Sequence, residues 1–385
     1  MKPQSRGPHI LRRWQLRCAV CLLWIALTVT PALPRTDVRA DGILGLPKAT
    51  ATSDPLRQKK VRLGEKLFFD ARLSADGSVS CATCHSPEKE FTDRRRTAVG
   101  IAELRGTRNT PSLLNVVYAT SLFWDGRADS LESQALEPFF NPREHGLASP
   151  RELLQRIEAD REYVTAFRDA FGSRETPVTG ANVAAALAAY QRTLVDGNSA
   201  FDRFQFGGEQ TVLSAAARRG YNVFVGLGQC AACHTVSRDH ALFTDNQFHA
   251  IGFRAMGDEM RGAIERIRRT APEHVRNLVS ADRGVAALGR FVVTRKIEDL
   301  GKFRTPSLRN VALTAPYMHD GGIETLEEAV EHELYYRGHT NGSPIVLTPQ
   351  ERDDLVTFLQ SLTGARADMQ RRVQAGLANT QRRER

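Results

Sequence analysis

The sequence predicts a mainly α-helical protein made of two tandem copies of one domain, with long loops around them. Three observations predict this class: apolar residues recur at helical spacing, strand signals are few, and one set of motifs occurs twice along the chain. A chain of 385 residues, 41% of them hydrophobic and 25% charged, is long enough for two globular domains. We therefore expect domains over residues 41–200 and 201–365, after a leader over 1–40 and before a basic tail over 366–385.

Six segments carry the helical pattern. They span residues 57–69, 149–171, 179–194, 214–225, 325–336 and 348–362. Four of them begin at a residue whose side chain can cap a helix, namely Ser149, Thr179, Ser214 and Thr348. The best strand signal lies at residues 290–295. Regular structure is thus predicted to be helical, with little sheet.

Two parts of the chain repeat each other at a constant distance. Residues 110–116 match residues 305–311, and the Asp-Gly and Leu-Glu pairs that follow keep the same spacing in both copies. Positions 110 and 305, 125 and 320, and 131 and 326 are all 195 residues apart. A constant offset over about 20 positions indicates a tandem duplication of one domain.

The N-terminus resembles an export signal. A basic stretch ends at Arg17, an apolar run covers residues 18–29, and a small-residue site ends at Ala40. The apolar run is too short to span a bilayer comfortably, so we expect cleavage after Ala40 and no stable membrane span afterwards. An uncleaved anchor is the alternative. Export indicates the bacterial periplasm.

The formal net charge of +9 owes much to the two ends of the chain. Nine arginines lie there, namely Arg6, Arg12, Arg13, Arg17, Arg371, Arg372, Arg382, Arg383 and Arg385. The rest of the chain is closer to neutral and has no basic stripe interleaved with aromatic residues. Nucleic acid is therefore not expected as a partner.

Each copy contains one Cys-x-x-Cys-His motif, at residues 81–85 and 230–234. Two cysteines at this spacing reach the two vinyl groups of one heme, and the histidine that follows points its imidazole at the iron. The attachment cysteines are then Cys81, Cys84, Cys230 and Cys233, and the proximal ligands are His85 and His234. Cys18 and Cys21 lie in the leader and lack a following histidine. The sequence thus predicts two covalently bound hemes c in two cytochrome c-like domains.

The two copies differ in one loop. His85 and Thr110 are 25 residues apart, whereas His234 and Thr305 are 71 residues apart. The second copy therefore contains about 46 additional residues between its heme motif and its repeated segment.

Several further segments are similar to those of a known family. They are Gly-Glu-Lys-Leu-Phe-Phe-Asp at 64–70, Arg-Asn-Thr-Pro-Ser at 108–112, Phe-Trp-Asp-Gly-Arg at 123–127 and the stretch 305–321. With the two heme motifs, they resemble the bacterial diheme cytochrome c peroxidases and the related MauG-type enzymes. The resemblance covers roughly residues 56–364, and its motifs do not separate the branches of the superfamily. It implies that the N-terminal heme is the peroxide site and that the C-terminal heme supplies or stores electrons.

The resemblance also implies site residues. Trp124 matches the tryptophan between the two hemes, Glu144 the distal glutamate that moves protons during O–O cleavage, and Gln134 the distal glutamine. A carboxylate suits this chemistry because one peroxide oxygen must lose a proton and the other must gain one.

An inter-domain calcium ion is implied in the same way. Asn109, with the backbone carbonyls of Thr314 and Pro316, matches the family's calcium site. Oxygen ligands of this kind suit calcium.

Two positions depart from the peroxidase pattern. After the Thr-x-Val-Gly run at 97–100, the peroxidases have a histidine that caps the N-terminal iron, but this chain has Ile101, which cannot bind iron. We therefore expect an open N-terminal heme, as in the MauG type. His145 is the nearest substitute ligand, although a distal-pocket or surface role is the expectation beside Glu144.

The second departure concerns the sixth ligand of the C-terminal iron. The family's methionine or tyrosine position corresponds to Glu333, an unsuitable ligand, so we predict Tyr335, with Tyr336, His332 and Met318 as alternatives. A phenolate ligand would stabilise ferric iron.

Three functions follow from these features. The first is MauG-type oxidation of a protein substrate by hydrogen peroxide, and the second is peroxide reduction with electrons from a small cytochrome c or cupredoxin. The alternative of another class is a diheme electron-transfer cytochrome without catalysis. Gln134, Glu144 and an open iron argue against the third.

Overall fold

The computed structural model describes residues 42–48, 54–172, 177–250 and 257–369. Their α-helices are α1 (Arg57–Phe69), α2 (Cys81–Cys84), α3 (Leu131–Leu136), α4 (Pro150–Glu158), α5 (Arg161–Phe171), α6 (Gly180–Gln191), α7 (Ala200–Gln205), α8 (Ala215–Val225), α9 (Asp258–Arg269), α10 (Val275–Ala281), α11 (Arg283–Ala287), α12 (Phe291–Thr294), α13 (Leu326–Asn341) and α14 (Pro349–Gln360). Two short strands, β1 (Phe248–Ala250) and β2 (Lys302–Arg304), pair antiparallel with Phe248 opposite Arg304. The mainly α-helical prediction is confirmed.

The predicted helix starts are confirmed at all four capping residues. The side-chain oxygens of Ser149, Thr179, Ser214 and Thr348 accept hydrogen bonds from backbone N–H groups in the first turn of the helix that follows. The segment 149–171 forms two helices instead of one. Asp160 interrupts it, because its carboxylate accepts a hydrogen bond from the Glu162 N–H at 2.8 Å and caps α5.

The strand predicted at 290–295 is wrong, because Phe291–Thr294 forms helix α12. Phe291 and Val292 are buried in a small core with apolar residues of α9, α10 and α11. A short run of β-branched and aromatic residues fits a buried helical turn as well as a strand, so its pattern alone could not decide.

In each half of the chain, the helix before the heme motif packs across a later helix. Helix α1 crosses α6, and α8 crosses α14. Both crossings occur at a glycine: a Cβ on Gly64 would lie 1.9 Å from the Ala186 carbonyl oxygen, and one on Gly220 would lie 1.9 Å from that of Asp354. Only glycine allows this close approach of two backbones.

The apolar cores follow these helix pairs. One cluster of buried residues runs from Leu63 to Leu194 and a second from Phe201 to Leu362. The two clusters fall on either side of residue 200, and the domain division at that residue remains a prediction.

The duplication is visible in the backbone. Left-handed conformations occur at Asn115 and Asn310, with φ of 62° and 60°, and at Phe123 and Met318, with φ of 65° and 71°. The isolated bridges Leu122–Ala128 and Tyr317–Ile323 repeat in the same way. These equivalent features keep the 195-residue offset of the sequence repeat, so the two copies share one local fold.

The additional loop of the second copy forms helices α9 to α12 and contacts the first half of the chain. The Thr107 hydroxyl donates a hydrogen bond to the Val279 carbonyl at 2.6 Å, and the Arg290 guanidinium donates to the Asp125 and Gly126 carbonyls at 2.9 and 2.7 Å. The two Arg290 bonds connect the loop to the turn that contains Trp124.

Two predictions concern other parts of the chain. The leader over 1–40, with Cys18 and Cys21, and residues 370–385 of the basic tail lie outside the described residues. Within the part of the chain that the structure describes, no helix is both long enough and apolar enough to cross a membrane.

Candidate heme sites

The N-terminal motif is held in a fixed geometry around His85. Ser80 caps α2, and His85 follows as the residue that ends this one-turn helix. The Nδ1 of His85 lies 2.9 Å from the Phe91 carbonyl oxygen. Because a carbonyl can only accept, Nδ1 carries the proton and Nε2 keeps its lone pair for a metal.

The C-terminal motif repeats this geometry with different spacing. The Nδ1 of His234 lies 2.9 Å from the carbonyl oxygen of Phe243, nine residues further on, whereas Phe91 follows His85 by six. Both phenylalanines are buried and left-handed, with φ of 56° and 53°. A strained residue thus presents the acceptor carbonyl in both copies.

Each motif lines a cavity. Cys230, Cys233 and His234 line one of about 660 Å³, large enough for a tetrapyrrole. Cys81, Cys84 and His85 line one of about 50 Å³, where the donor groups rather than the volume indicate the ligand.

The donors fit heme at both motifs. Burial raises the pKa of Cys81, Cys84 and Cys230 to about 12, so these sulfurs are thiols at neutral pH. Direct metal binding would need thiolates, so these sulfurs do not form a metal–thiolate site at neutral pH. Burial also lowers the pKa of His85, and that of His234 to about 4, so both imidazoles are neutral, as iron ligation requires.

Two half-buried arginines line the larger cavity and fit the carboxylates of such a group. The Nε atoms of Arg304 and Arg337 meet no hydrogen-bond partner among the described residues, and both side chains line the cavity. Arg337 also lies 3.3 Å from the Cys233 Sγ through Nη1. Guanidinium groups placed in this way bind carboxylates well.

Glu144 lies in the smaller cavity, together with Cys81, Cys84 and His85. The side-chain amide of Asn141 donates a hydrogen bond to its Oε1 at 2.6 Å. Desolvation by burial raises the pKa of Glu144 to about 7, although Arg127 and the bond from Asn141 act in the opposite direction. The carboxyl can therefore both accept and donate a proton near neutral pH, as acid–base catalysis requires.

A chain of buried charges leads away from Glu144. Arg127 donates hydrogen bonds to Asp125 at 3.1 Å and to Glu137 at 2.9 Å. Arg127 lowers the pKa of Glu144 and Glu137 raises it. Arg127 and Glu137 are the functional neighbours that sequence reasoning missed, and the Asp-Gly-Arg run at 125–127 is the signal that contained one of them.

Gln134 also lines the smaller cavity, as the sequence predicted for the distal side. It lies on α3, whose start is capped by Ser130. Gln134 and Glu144 are thus brought together with the N-terminal motif, and their roles remain predictions.

Ile101 lies beside this site without lining the cavity. Its N–H donates to the Glu144 carbonyl at 3.0 Å, and its Cδ1 would be 2.2 Å from a Cβ on Gly146. The isoleucine therefore packs against the loop that contains Glu144.

His145 lines the same cavity and is only 4% exposed. Neither of its ring nitrogens meets a hydrogen-bond partner among the described residues. Burial lowers the pKa of His145 to about 4, so the imidazole is neutral.

Trp124 lines the larger cavity, together with His234. Its Nε1 donates a hydrogen bond to the Asn109 carbonyl at 2.9 Å, and its own carbonyl accepts one from the Arg304 N–H at 2.9 Å. Trp124 is therefore bonded to the first copy through its indole and to the β2 strand through its backbone carbonyl.

The three predicted calcium ligands, Asn109, Thr314 and Pro316, line this larger cavity too. The Asn109 side-chain N–H₂ donates to the Arg95 carbonyl at 3.0 Å, which leaves its Oδ1 available as an oxygen ligand. The calcium ion itself remains a prediction.

Helix α13 presents the candidate ligands for the C-terminal iron. His332, Glu333 and Tyr336 line the cavity, as does Met318 from the preceding loop. Tyr335, the residue we predicted, is 60% exposed and does not line it. The helix rotates about 100° per residue, so adjacent tyrosines point in different directions, and the structure favours Tyr336 of the pair.

Glu333 resembles Glu144, because it is an acidic residue that lines a cavity beside a heme motif and has a raised pKa. Burial raises its pKa to about 7, and the nearby Arg337 lowers it. Both cavities thus contain one carboxyl that titrates near neutral pH.

Comparison with known proteins identifies the family to which the chain belongs. The family model described as di-haem cytochrome c peroxidase matches residues 58–211. The methylamine utilization protein MauG of Methylorubrum extorquens is 40% identical over 317 residues, which cover 80% of either chain. The cytochrome c551 peroxidase of Pseudomonas aeruginosa is 35% identical over 310 residues, again with 80% of either chain covered.

Solved structures agree with these relatives. A MauG-like protein associated with microbial copper homeostasis superposes with a TM-score of 0.66 at 32% identity, covering 85% of this chain and 94% of that one. The diheme peroxidase BthA from Burkholderia thailandensis gives a TM-score of 0.64 at 27% identity, with coverage of 86% and 94%.

Proposed function

Because the chain belongs to the family of diheme cytochrome c peroxidases and MauG proteins, we propose that it oxidises a partner with hydrogen peroxide at its N-terminal heme. The chain is a peroxidase-type oxidoreductase with two hemes. We further propose that thioethers from the four motif cysteines hold these hemes, that the protein works in the periplasm, and that one calcium ion binds at Asn109, Thr314 and Pro316.

The observation that carries the proposal is Glu144. Its carboxyl shares a cavity with His85, its pKa is about 7, and Asn141 holds Oε1 in place at 2.6 Å. As a carboxylate it takes a proton from one oxygen of bound peroxide, and as a carboxylic acid it returns that proton to the other oxygen. Gln134 supplies amide hydrogen bonds that orient the peroxide in the same cavity.

The heme iron, when bound, supplies the redox chemistry that removes two oxidising equivalents from peroxide. The protein's own part is to leave the face opposite His85 accessible and to hold the donors there. Ile101 supports an open site, because its side chain cannot ligate iron and packs on Gly146.

Trp124 is proposed to connect the two sites. Its ring lines the cavity of His234, and its Nε1 bonds to Asn109, next to the start of the repeated segment in the first copy. Tyr336 is proposed as the sixth ligand at the C-terminal site, in place of Tyr335. A tyrosine there and Ile101 together favour the MauG type, in which the partner is a protein substrate.

The test is an optical titration of the fully oxidised protein with hydrogen peroxide. We expect an immediate reaction that changes both heme spectra. When no partner is present, both spectra should return only slowly to those of the resting oxidised protein. If the oxidised protein does not react until the C-terminal heme is reduced, the N-terminal iron is capped and the protein is a gated cytochrome c peroxidase. Rapid turnover with reduced cytochrome c would likewise favour that second function.

A further inference from the structure

The N-terminal cavity contains an imidazole that the proposed proton transfer does not use. His145 is 4% exposed, and the cavity it lines also contains Gln134, Glu144 and His85. Neither Nδ1 nor Nε2 meets a hydrogen-bond partner within the described residues. A neutral imidazole has one N–H donor and one acceptor, and burying both unpaired costs free energy that a phenylalanine at this position would not.

The position of His145 is fixed from both sides. Its N–H donates to the Pro138 carbonyl at 3.2 Å, and its carbonyl accepts a bond from the Ala75 N–H at 2.8 Å. Its ring packs on Phe139 with the centroids 4.9 Å apart. These contacts determine where the ring lies. The Pro138 backbone also lies close enough to the ring to raise the pKa of His145, but neither ring nitrogen makes a hydrogen bond of normal geometry within the described residues.

A polar group that is buried, fixed and unpaired in a small cavity is arranged for a ligand that enters the cavity. The backbone N–H and carbonyl of His145 are already paired with Pro138 and Ala75, and the Oε1 of Glu144 already accepts a hydrogen bond from Asn141. Gln191 also lines the cavity with an unpaired Oε1, but that atom can only accept, so the imidazole adds an unpaired group that can both donate and accept a hydrogen bond.

We propose that His145 is a second distal catalytic residue, whose imidazole hydrogen-bonds to the small oxygen ligand at the N-terminal heme. The proposal rests on the proposed function, because that ligand is hydrogen peroxide. His145 donates its N–H to one peroxide oxygen and holds the molecule while Glu144 moves the proton. No covalent bond to His145 forms or breaks.

The experiment uses the holoprotein with both hemes and fluoride as a probe, since fluoride binds ferric iron and accepts hydrogen bonds but is not an oxidant. The variants are His145→Phe, which keeps the stacking on Phe139, and His145→Gln, which restores a hydrogen-bond donor. The matched control is His240→Gln, because His240 is a partly buried histidine of the second half that bonds to Asp239. Fluoride affinity is measured from the heme absorption spectrum, and the peroxide reaction is followed by stopped flow.

We expect His145→Phe to weaken fluoride binding by about tenfold, which corresponds to the loss of one hydrogen bond. His145→Gln should retain most of the affinity, and His240→Gln all of it. The rate of the peroxide reaction should follow the same order.

Two results would overturn the proposal. Equal fluoride affinity in all four proteins would mean that the imidazole only packs. Tighter fluoride binding in His145→Phe, with a changed spectrum in the resting protein, would mean that His145 is an iron ligand instead. If fluoride binding depends on His145 but the wild-type protein ignores peroxide, the proposed function fails and the placement of His145 stands.

Discussion

In the first half of the chain, α3 and the loop over 141–146 contribute Gln134, Glu144 and His145 to the lining of the cavity beside His85. In the second half, the cavity beside His234 is lined along one side by α13, which contributes Glu333 and Tyr336. The two halves share one ancestral fold and one way of holding the histidine. They differ in the side chains that face this histidine. In the proposed function, this difference separates a site for an exogenous ligand from a site that a protein side chain closes.

The two cavities are most directly compared through their carboxyl groups, because Glu144 and Glu333 both have a pKa of about 7. We expect Glu144→Gln to slow the reaction with peroxide by about 10²–10⁴, because it removes the acid–base group. Glu333→Gln is the matched control and should change the rate by less than about threefold if peroxide reacts only at the first site. Stopped-flow absorption measures both rates. If Glu144→Gln reacts with peroxide as fast as the wild-type protein, Glu144 is not the acid–base group and the two carboxyls do not differ in this role.

The pH dependence should follow Glu144 alone. Its pKa is raised by burial to about 7, so at pH 5 only about 1% of it is the carboxylate that accepts the peroxide proton. The rate should therefore rise about tenfold per pH unit from 5 and level off above about 7. The profile should persist in Glu333→Gln and disappear in Glu144→Gln. A profile that disappears only in Glu333→Gln would assign the titration to the other half of the molecule.

Trp124→Phe should slow electron transfer between the hemes of the two halves of the chain. The variant loses the hydrogen bond from Nε1 to the Asn109 carbonyl, which costs about 1 kcal/mol of stability. One equivalent of peroxide should then change the N-terminal heme spectrum first and that of the C-terminal heme only slowly. If both spectra still change together, the relay does not pass through this indole.

The smallest effect on the peroxide rate is expected at α13, although the spectrum should change there. Tyr336→Phe should alter the absorption of the C-terminal heme, because it removes the proposed ligand, and should leave the peroxide rate within about threefold. Tyr335→Phe, the exposed neighbour, serves as its control and should leave the spectrum unchanged. If Tyr335→Phe changes the spectrum and Tyr336→Phe does not, the ligand is Tyr335, as the sequence predicted.

The sequence predicted most of what depends on short-range pattern. The capped helices, the two heme motifs and the duplication were all readable, because each is encoded by residues close together or at a constant offset. The choice between Tyr335 and Tyr336 could not be read in this way, because a family spacing does not give the rotation of the helix, and the ligand remains a prediction. The strand at 290–295 failed because a short apolar run does not reveal that Phe291 and Val292 are buried as a helical turn against α9, α10 and α11.

The hydrogen bond between Glu144 and Asn141 joins residues of one short sequence motif. The hydrogen bond between Arg127 and Glu137 joins residues of different segments and is visible only in the folded structure. The lack of partners for His145 is likewise a property of the folded site. Its sequence neighbours include polar residues, but none of them reaches the ring.

The left-handed phenylalanines behind the two histidines have a consequence for reduction potential. Phe91 and Phe243 accept the same bond, from Nδ1 at 2.9 Å, and so strengthen the electron donation of His85 and His234 by the same amount. This bond alone would therefore not make one iron easier to reduce than the other. A difference in reduction potential between the two sites would have to come from features in which the copies differ, such as the charged side chains that line each cavity and the shielding of each cavity from water.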